Sequence, residues 1–135
     1  MRYLLDTNVC INFLRKKGSP LVKQRVLAHP AADLVLCAPV TAELYHGAMG
    51  STNPTANRAQ IDAFVRNFRV LPLDDAAAST YAAVRAGLEA EGWPIGAFDV
   101  LIAGIALNNT LTLVTHNTGE FSRVPGLTLE DWEVP

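Results

Sequence analysis

The chain has 135 residues, of which 50% are apolar, so residues 1–135 are expected to form a single domain with one core. No stretch reaches the about 18 consecutive apolar residues of a membrane-spanning helix, and no secretory signal precedes the first strand. We therefore expect a cytoplasmic protein with no membrane partner. The formal net charge of −2 argues against broad, nonspecific binding to nucleic acids.

The chain opens with a short apolar strand that delivers a carboxylate. Tyr3 to Leu5 are followed by Asp6, and then by an apolar helix that closes near Gly18. In open α/β sheets, the ligand crevice lies outside the carboxyl ends of the strands. Asp6 is therefore expected to face a cleft.

Charge is distributed unevenly along the chain. From residue 86 onward one arginine stands against seven acids, whereas the first 30 residues carry six cations and one acid. This imbalance predicts a local basic surface. Two interpretations remain open for the three consecutive cations: a solvated end of the first helix, or contacts to phosphates. These cations are Arg15, Lys16 and Lys17.

The second strand is predicted at Leu34 to Ala38, after a helix bounded by two prolines. The next helix is predicted from Ala42 to Met49, which places Glu43 in its first turn. A carboxylate there interacts favourably with the helix dipole and stabilises the helix, so a purely structural role for Glu43 is the simple alternative.

Apolar spacing continues through the middle of the chain. Ile61, Phe64 and Phe68 keep helical spacing and are expected in the core. A third strand is predicted at residues 70–73. It is followed by an Ala-rich helix that Asp74 or Asp75 caps and that reaches about Glu91.

The helix from Ala97 is apolar around its whole circumference and is expected to be buried on all sides. Asp99 lies near its start. An ionisable group at such a place is costly unless something pairs with it, so a helix cap, a metal or another cation would explain Asp99. A fourth strand at residues 111–114 ends in a polar segment, and residues 127–132 suggest a last edge strand.

This alternation of strands and helices predicts an α/β fold with a central, mainly parallel sheet of four to five strands flanked by helices. Side-by-side strand ends would crowd several carboxylates into one pocket. Hard oxygen ligands with few histidines favour Mg²⁺ or Mn²⁺ over Zn²⁺, and metal-assisted phosphate chemistry is the natural use of such a pocket. The acids are Asp6, Glu43, Asp99 and Glu120.

The segments YLLDTNV, VTAELYHGA, GAFDVLIAGIAL and THNTGEF, with a terminal LEDW, resemble the PIN-domain ribonucleases and, among them, the VapC toxins. The resemblance is closest to the enteric VapC type. It implies a PIN-like three-layer sandwich and a Mg²⁺-dependent endoribonuclease toxin that cuts initiator tRNA in the anticodon region. It also implies a homodimer and a neutralising VapB-type antitoxin.

The resemblance carries over residue by residue. Asp6, Glu43 and Asp99 match the family's three metal-coordinating acids. The family's fourth motif usually supplies another acid, whereas here Asn117 stands at the first candidate position. Glu120 is the remaining carboxylate, and we expect it to retain a second metal or to position water. Asn8 and Thr115 match small polar residues that orient carboxylates or water. The motif gives no role to His46 or His116, which we place on the surface or in packing.

Two alternative functions are open. A haloacid-dehalogenase-like phosphatase also begins with an aspartate after the first strand, but it needs a second aspartate two residues later, where this chain has Asn8. A catalytically silent PIN module kept for binding is the other alternative, and Asn117 at the fourth motif favours it. In the enzyme, Arg15, Lys16 and Lys17 would contact RNA phosphates.

Overall fold

The computed structural model describes all 135 residues and has one sheet of five parallel strands with helices on its flanks. The strands are β1 (Tyr3–Leu5), β2 (Leu34–Cys37), β3 (Arg69–Leu71), β4 (Thr112–Val114) and β5 (Leu129–Glu130). The helices are α1 (Thr7–Leu14), α2 (Pro20–Ala28), α3 (Ala38–Met49), α4 (Pro54–Val65), α5 (Asp75–Ala90), α6 (Ala97–Asn108) and α7 (Thr118–Phe121). The predicted α/β fold with a parallel sheet is confirmed. None of the helices has the length and apolarity needed to cross a bilayer.

The strand order β3-β2-β1-β4-β5 places β1 in the middle of the sheet. The chain adds β2 and β3 on one side of β1 and then β4 and β5 on the other side. The ends of β1 and β4 therefore meet at the point where the order reverses, which is where open parallel sheets form ligand crevices. The backbone N–H of Asp6 donates to the carbonyl of Val114 at 3.0 Å and extends this pairing to the crevice.

The core holds the helix that carries Asp99 in a fixed place. Residues 102–106 of α6 are all buried, whereas Phe98 in the first turn is exposed. Gly104 lets the backbones of α5 and α6 approach closely, because a Cβ there would lie 3.2 Å from the carbonyl oxygen of Ala77 and from the amide nitrogen of Tyr81. Such close packing leaves little freedom for α6.

Helix α3 starts earlier than predicted, at Ala38, and Pro39 lies inside its first turn. Proline suits this position because the N–H that it lacks would have no partner inside the helix. Glu43 consequently lies in the second turn, so the predicted first-turn position was wrong. A stabilising contact with the helix dipole, which is confined to the first turn, does not explain Glu43.

Other boundaries also differ from those predicted. Helix α4 ends at Val65, so Phe68 lies beyond it, yet its ring packs edge-on against that of Phe64 at 5.0 Å between centroids. Strand β5 is only two residues long. Asp74 caps α5 as predicted, accepting a hydrogen bond from the backbone of Ala77.

Candidate metal centre

Asp6 is the N-cap of α1 and is held by hydrogen bonds to both carboxylate oxygens. Oδ1 accepts from the backbone N–H of Thr7 at 2.8 Å, and Oδ2 accepts from the hydroxyl of Thr115 at 2.7 Å. The side chain is buried, and this burial raises the pKa of Asp6 although the two hydrogen bonds oppose the rise. Repulsion from Glu43 adds to it. Asp6 is thus a fixed carboxylate whose charge lacks a partner.

Glu43 is brought to the same place by Thr7. The hydroxyl of Thr7 donates to Oε1 of Glu43 at 2.6 Å, which joins the first turn of α1 to α3. Thr7 is not among the site residues predicted from the sequence. Its only signal was a hydroxyl directly after Asp6, and the 36 positions that separate it from Glu43 hide the contact in the sequence.

The end of β4 supplies the fourth carboxylate through two linked hydrogen bonds. The hydroxyl of Thr115 accepts from the backbone N–H of Asn117 at 3.0 Å, and the amide of Asn117 donates to Oε2 of Glu120 at 3.1 Å. Asn117 therefore orients a carboxylate, and Glu120 presents one. Both residues named for the fourth motif lie at the pocket, in different roles.

Asp99 lies in the first turn of α6 without capping it. The N-cap is Gly96, and no side chain makes a cap hydrogen bond there. Burial raises the pKa of Asp99 to about 6, with further contributions from the charges of Asp6, Glu120 and Glu43 and from a hydrogen bond with Glu120. The helix-cap explanation therefore has no support, and the charges of Asp6, Glu43 and Glu120 act on Asp99, as expected for four acids at one crevice.

The chemistry of this pocket fits a hard divalent cation. Its donors are carboxylate oxygens, and no lysine, arginine or histidine forms an ion pair with any of the four acids. Crowded carboxylates without a counter-ion are unfavourable, and oxygen-only ligand sets suit Mg²⁺ or Mn²⁺. The residues that would hold the cation are Asp6, Glu43, Asp99 and Glu120.

Asn8 is exposed and makes no hydrogen bond to these acids. It instead lines a polar cleft of about 390 Å³ that also includes Arg15 and Asn117. An orienting role for Asn8 thus stays a prediction that no hydrogen bond to these acids supports.

The three consecutive cations lie just after α1 and are exposed. The last turn of α1 contains no basic residue, and the ammonium of Lys23 hydrogen-bonds the carbonyls of Arg15 and Lys16. Arg15 is the C-cap residue of α1, so its charge also lies near the C-terminal end of that helix, and the side chains of Arg15, Lys16 and Lys17 form no ion pair. Arg15 also borders an apolar groove of about 340 Å³ that reaches Glu43.

Both histidines outside the motif roles are exposed, as expected. His46 lies on α3. His116 Nδ1 lies 2.9 Å from Asp131 Oδ2 and 3.4 Å from Glu133 Oε2, and the hydrogen bond to Asp131 raises the pKa of His116. These three side chains are close enough to share a metal ion. A protonated histidine between two carboxylates accounts for the same geometry and ties the C-terminal segment to the loop after β4.

Comparison with known proteins gives consistent matches over almost the whole chain. Residues 3–127 match the family model of the PIN domain. The tRNA(fMet)-specific endonuclease VapC of Shigella flexneri is 39% identical over 98% of both chains, and ribonuclease VapC2 of Rickettsia felis is 32% identical over 98% of this chain and 99% of its own. The toxin fold in the crystal structure of DNA-bound VapBC from Salmonella typhimurium superimposes with a TM-score of 0.91, at 34% identity and 98% coverage of both chains.

Proposed function

The chain belongs to the PIN-domain family and is an endoribonuclease of the VapC type, and we propose that it uses Mg²⁺ to cut transfer RNA and so inhibits translation. The observation that carries the metal dependence is the pocket of Asp6, Glu43, Asp99 and Glu120, which holds four carboxylates and no counter-ion. Mn²⁺ should substitute, because it prefers the same oxygen ligands.

The protein's own groups prepare this pocket before any ligand arrives. Thr115 and the backbone of Thr7 fix Asp6, and the hydroxyl of Thr7 fixes Glu43. Such second-layer hydrogen bonds orient metal ligands and raise metal affinity. A bound divalent cation would supply charge neutralisation at the scissile phosphate and a lowered pKa for water.

The substrate proposal rests on the Shigella relative, whose name specifies initiator tRNA. We infer that this chain also cuts a transfer RNA in its anticodon region, where unpaired bases are accessible. Arg15 at the polar cleft, with Lys16 and Lys17 beside it, would contact the phosphates that the acidic pocket repels. Action on transfer RNA implies a cytoplasmic location.

The partner proposal rests on the similar toxin structures, which are VapBC complexes. We infer a VapB-type antitoxin that neutralises this chain, and a homodimer of the chain itself. The apolar groove beside Glu43 offers the antitoxin a surface from which it can block the pocket. The groove is lined by Ile11, Leu14, Leu44, Ala48 and Ile61 among others.

Cleavage of purified transfer RNA tests the proposal. The wild-type protein should cut in Mg²⁺ or Mn²⁺, stop in excess chelator, and work poorly with Zn²⁺. A parallel assay on a phosphomonoester should show no turnover, which excludes the phosphatase alternative. Binding of RNA without cleavage in any metal would instead identify a silent binding module.

A further inference from the structure

The segment that leads into α6 exposes two aromatic rings next to the acidic pocket. Trp93 is 60% exposed and Phe98 is 45% exposed. Phe98 directly precedes Asp99, and a Cβ added to Gly96 would lie 3.6 Å from Asp99 Oδ2. Two exposed rings within six residues of Asp99 are therefore available for contact with a ligand.

The backbone of Trp93 is fixed by the turn that ends α5. Its backbone N–H donates to the carbonyl of Leu88 at 2.9 Å, and that of Gly92 donates to Glu89 at 3.1 Å. Gly92 has φ +73°, so the turn is a glycine-based C-terminal cap of α5. A residue whose backbone is fixed in this way loses little backbone entropy when it binds a flat ligand.

A cation lies against the same ring. The guanidinium carbon of Arg123 is 5.7 Å from the centroid of Trp93, and its Nη1 donates to the carbonyl of Pro94 at 3.3 Å. Arg123 follows Glu120 by one turn of chain, and its backbone N–H donates to the carbonyl of Glu120 at 3.1 Å. It is the only lysine or arginine from residue 86 to the C-terminus, in a part of the chain that is otherwise acidic.

Substrate binding explains this pairing of ring and cation. Four carboxylates repel phosphates, so an RNA that reaches the metal centre must be held by groups around it. Arg15 serves the side of the pocket near Asn8 and Glu43. Trp93 and Arg123 are close in sequence to Asp99 and Glu120, two acids that line neither cleft beside Arg15.

We propose that Trp93 is a stacking site for one unpaired base of the RNA substrate, with Arg123 contacting the adjoining phosphate. This inference rests on the proposed function and adds a specificity-determining site to it. Stacking on an aromatic ring is available to any unpaired base and is denied to bases inside a duplex. The site therefore selects single-stranded loops without selecting a particular base.

Intrinsic fluorescence gives a direct test, because Trp93 is exposed and the second tryptophan, Trp132, is 3% exposed. A hairpin RNA with an unpaired loop, added to wild-type protein in chelator, should quench the emission of Trp93. A fully paired duplex of the same length should quench it little. Trp93→Phe should keep hairpin binding and lose the quenching.

Affinity gives the second readout. Trp93→Ala should weaken binding of the hairpin about tenfold and leave duplex binding unchanged. Leu27→Ala, at a side chain 75% exposed on α2, is the matched control and should bind as wild type does. Arg123→Gln should lower the salt dependence of hairpin binding by about 0.7 in log–log slope, as the loss of one single-strand phosphate contact predicts.

The outcomes separate this inference from the proposed function. Hairpin binding that neither quenches Trp93 nor weakens in Trp93→Ala would overturn the stacking site and leave the nuclease intact. A wild-type protein that binds neither RNA would overturn the stacking site, and the cleavage assay in Mg²⁺ decides the proposed function separately. Circular dichroism melting of Trp93→Ala should match that of wild type, since an exposed ring contributes little to the core.

Discussion

The hydroxyl of Thr115 lies 2.7 Å from Oδ2 of Asp6, and this hydrogen bond joins the ends of β4 and β1 across 109 positions of sequence. The hydroxyl oxygen of Thr115 also accepts a hydrogen bond from the backbone N–H of Asn117 at 3.0 Å. Thr115 is fully buried, so no bulk water can replace either contact. One hydroxyl thus fixes the central carboxylate and the start of the segment that presents Glu120.

Thr115→Val keeps the size of the side chain and removes this hydroxyl. We expect Mg²⁺ affinity and RNA cleavage to fall about 10- to 100-fold, as for other groups that orient metal ligands. The lost partners should cost about 1–3 kcal/mol of unfolding free energy. Calorimetric titration with Mg²⁺ measures the change in metal affinity. The control is Thr41→Val, a buried threonine on α3 that bonds only the carbonyl of Ala38, and its metal affinity should stay normal.

Asp99→Asn separates catalysis from folding. The variant should lose cleavage while its metal-free form melts no lower than metal-free wild type, because a repelled charge has been removed. Mg²⁺ should raise the melting temperature of wild type by mass action and that of the variant less. Asp75→Asn, which changes a first-turn acid of α5 outside the pocket, should cleave and respond to Mg²⁺ normally. An active Asp99→Asn protein would remove Asp99 from the metal centre.

The raised pKa of Asp99 predicts a pH dependence in metal-free protein. The folded state holds this proton more tightly than the unfolded chain does, so the free energy of unfolding falls as the pH rises from the ordinary value of 3.8 through about 6. The melting temperature of Asp99→Asn should therefore rise above that of wild type as the pH increases from 3.8 to about 6. Above pH 6 the difference in melting temperature should stay constant. A difference that does not change with pH anywhere would contradict the crowded pocket.

Replacing Arg15, Lys16 and Lys17 together with glutamine tests the basic surface. Each lost phosphate contact should lower the log–log salt slope of RNA binding by about 0.7, so the triple variant should show a drop near two. Fluorescence polarisation with a labelled RNA measures the slope. Arg66 and Arg69, two exposed cations elsewhere on the chain, provide a control pair when changed to glutamine. An unchanged slope in the triple variant would show that these residues make no phosphate contacts and form only a solvated helix end.

The sequence predicted the parallel sheet, which is confirmed, and marked four candidate acids, because both leave local signals. Short apolar runs marked β1, β2 and β4, and each acid follows a strand or begins near a helix start. The early start of α3 was not predicted, because the predicted strand and helix leave residues 39–41 unassigned, although proline is well tolerated in a first turn. The role of Thr7 escaped because its partner Glu43 is distant in the sequence and is brought near only by packing of α1 against α3.

The roles of the two fourth-motif residues could also not be predicted from the sequence. The sequence did not determine whether Asn117 or Glu120 fills the position of the family's fourth acid. The hydrogen bond of 3.1 Å between them shows that they act together, the amide orienting the carboxylate. Hydrogen-bond geometry of this kind depends on the turn that follows β4, and residue identity alone does not determine it.

RNA 5′-end mapping after a brief induction of the protein in bacterial cells tests the central claim most directly. Wild type should generate new ends within the anticodon region of a transfer RNA, and the Asp99→Asn and Glu43→Gln variants, expressed to the same level, should generate none. New ends confined to messenger RNA would contradict the transfer RNA substrate. The same ends in the variants, or none in wild type, would contradict a nuclease built on these carboxylates.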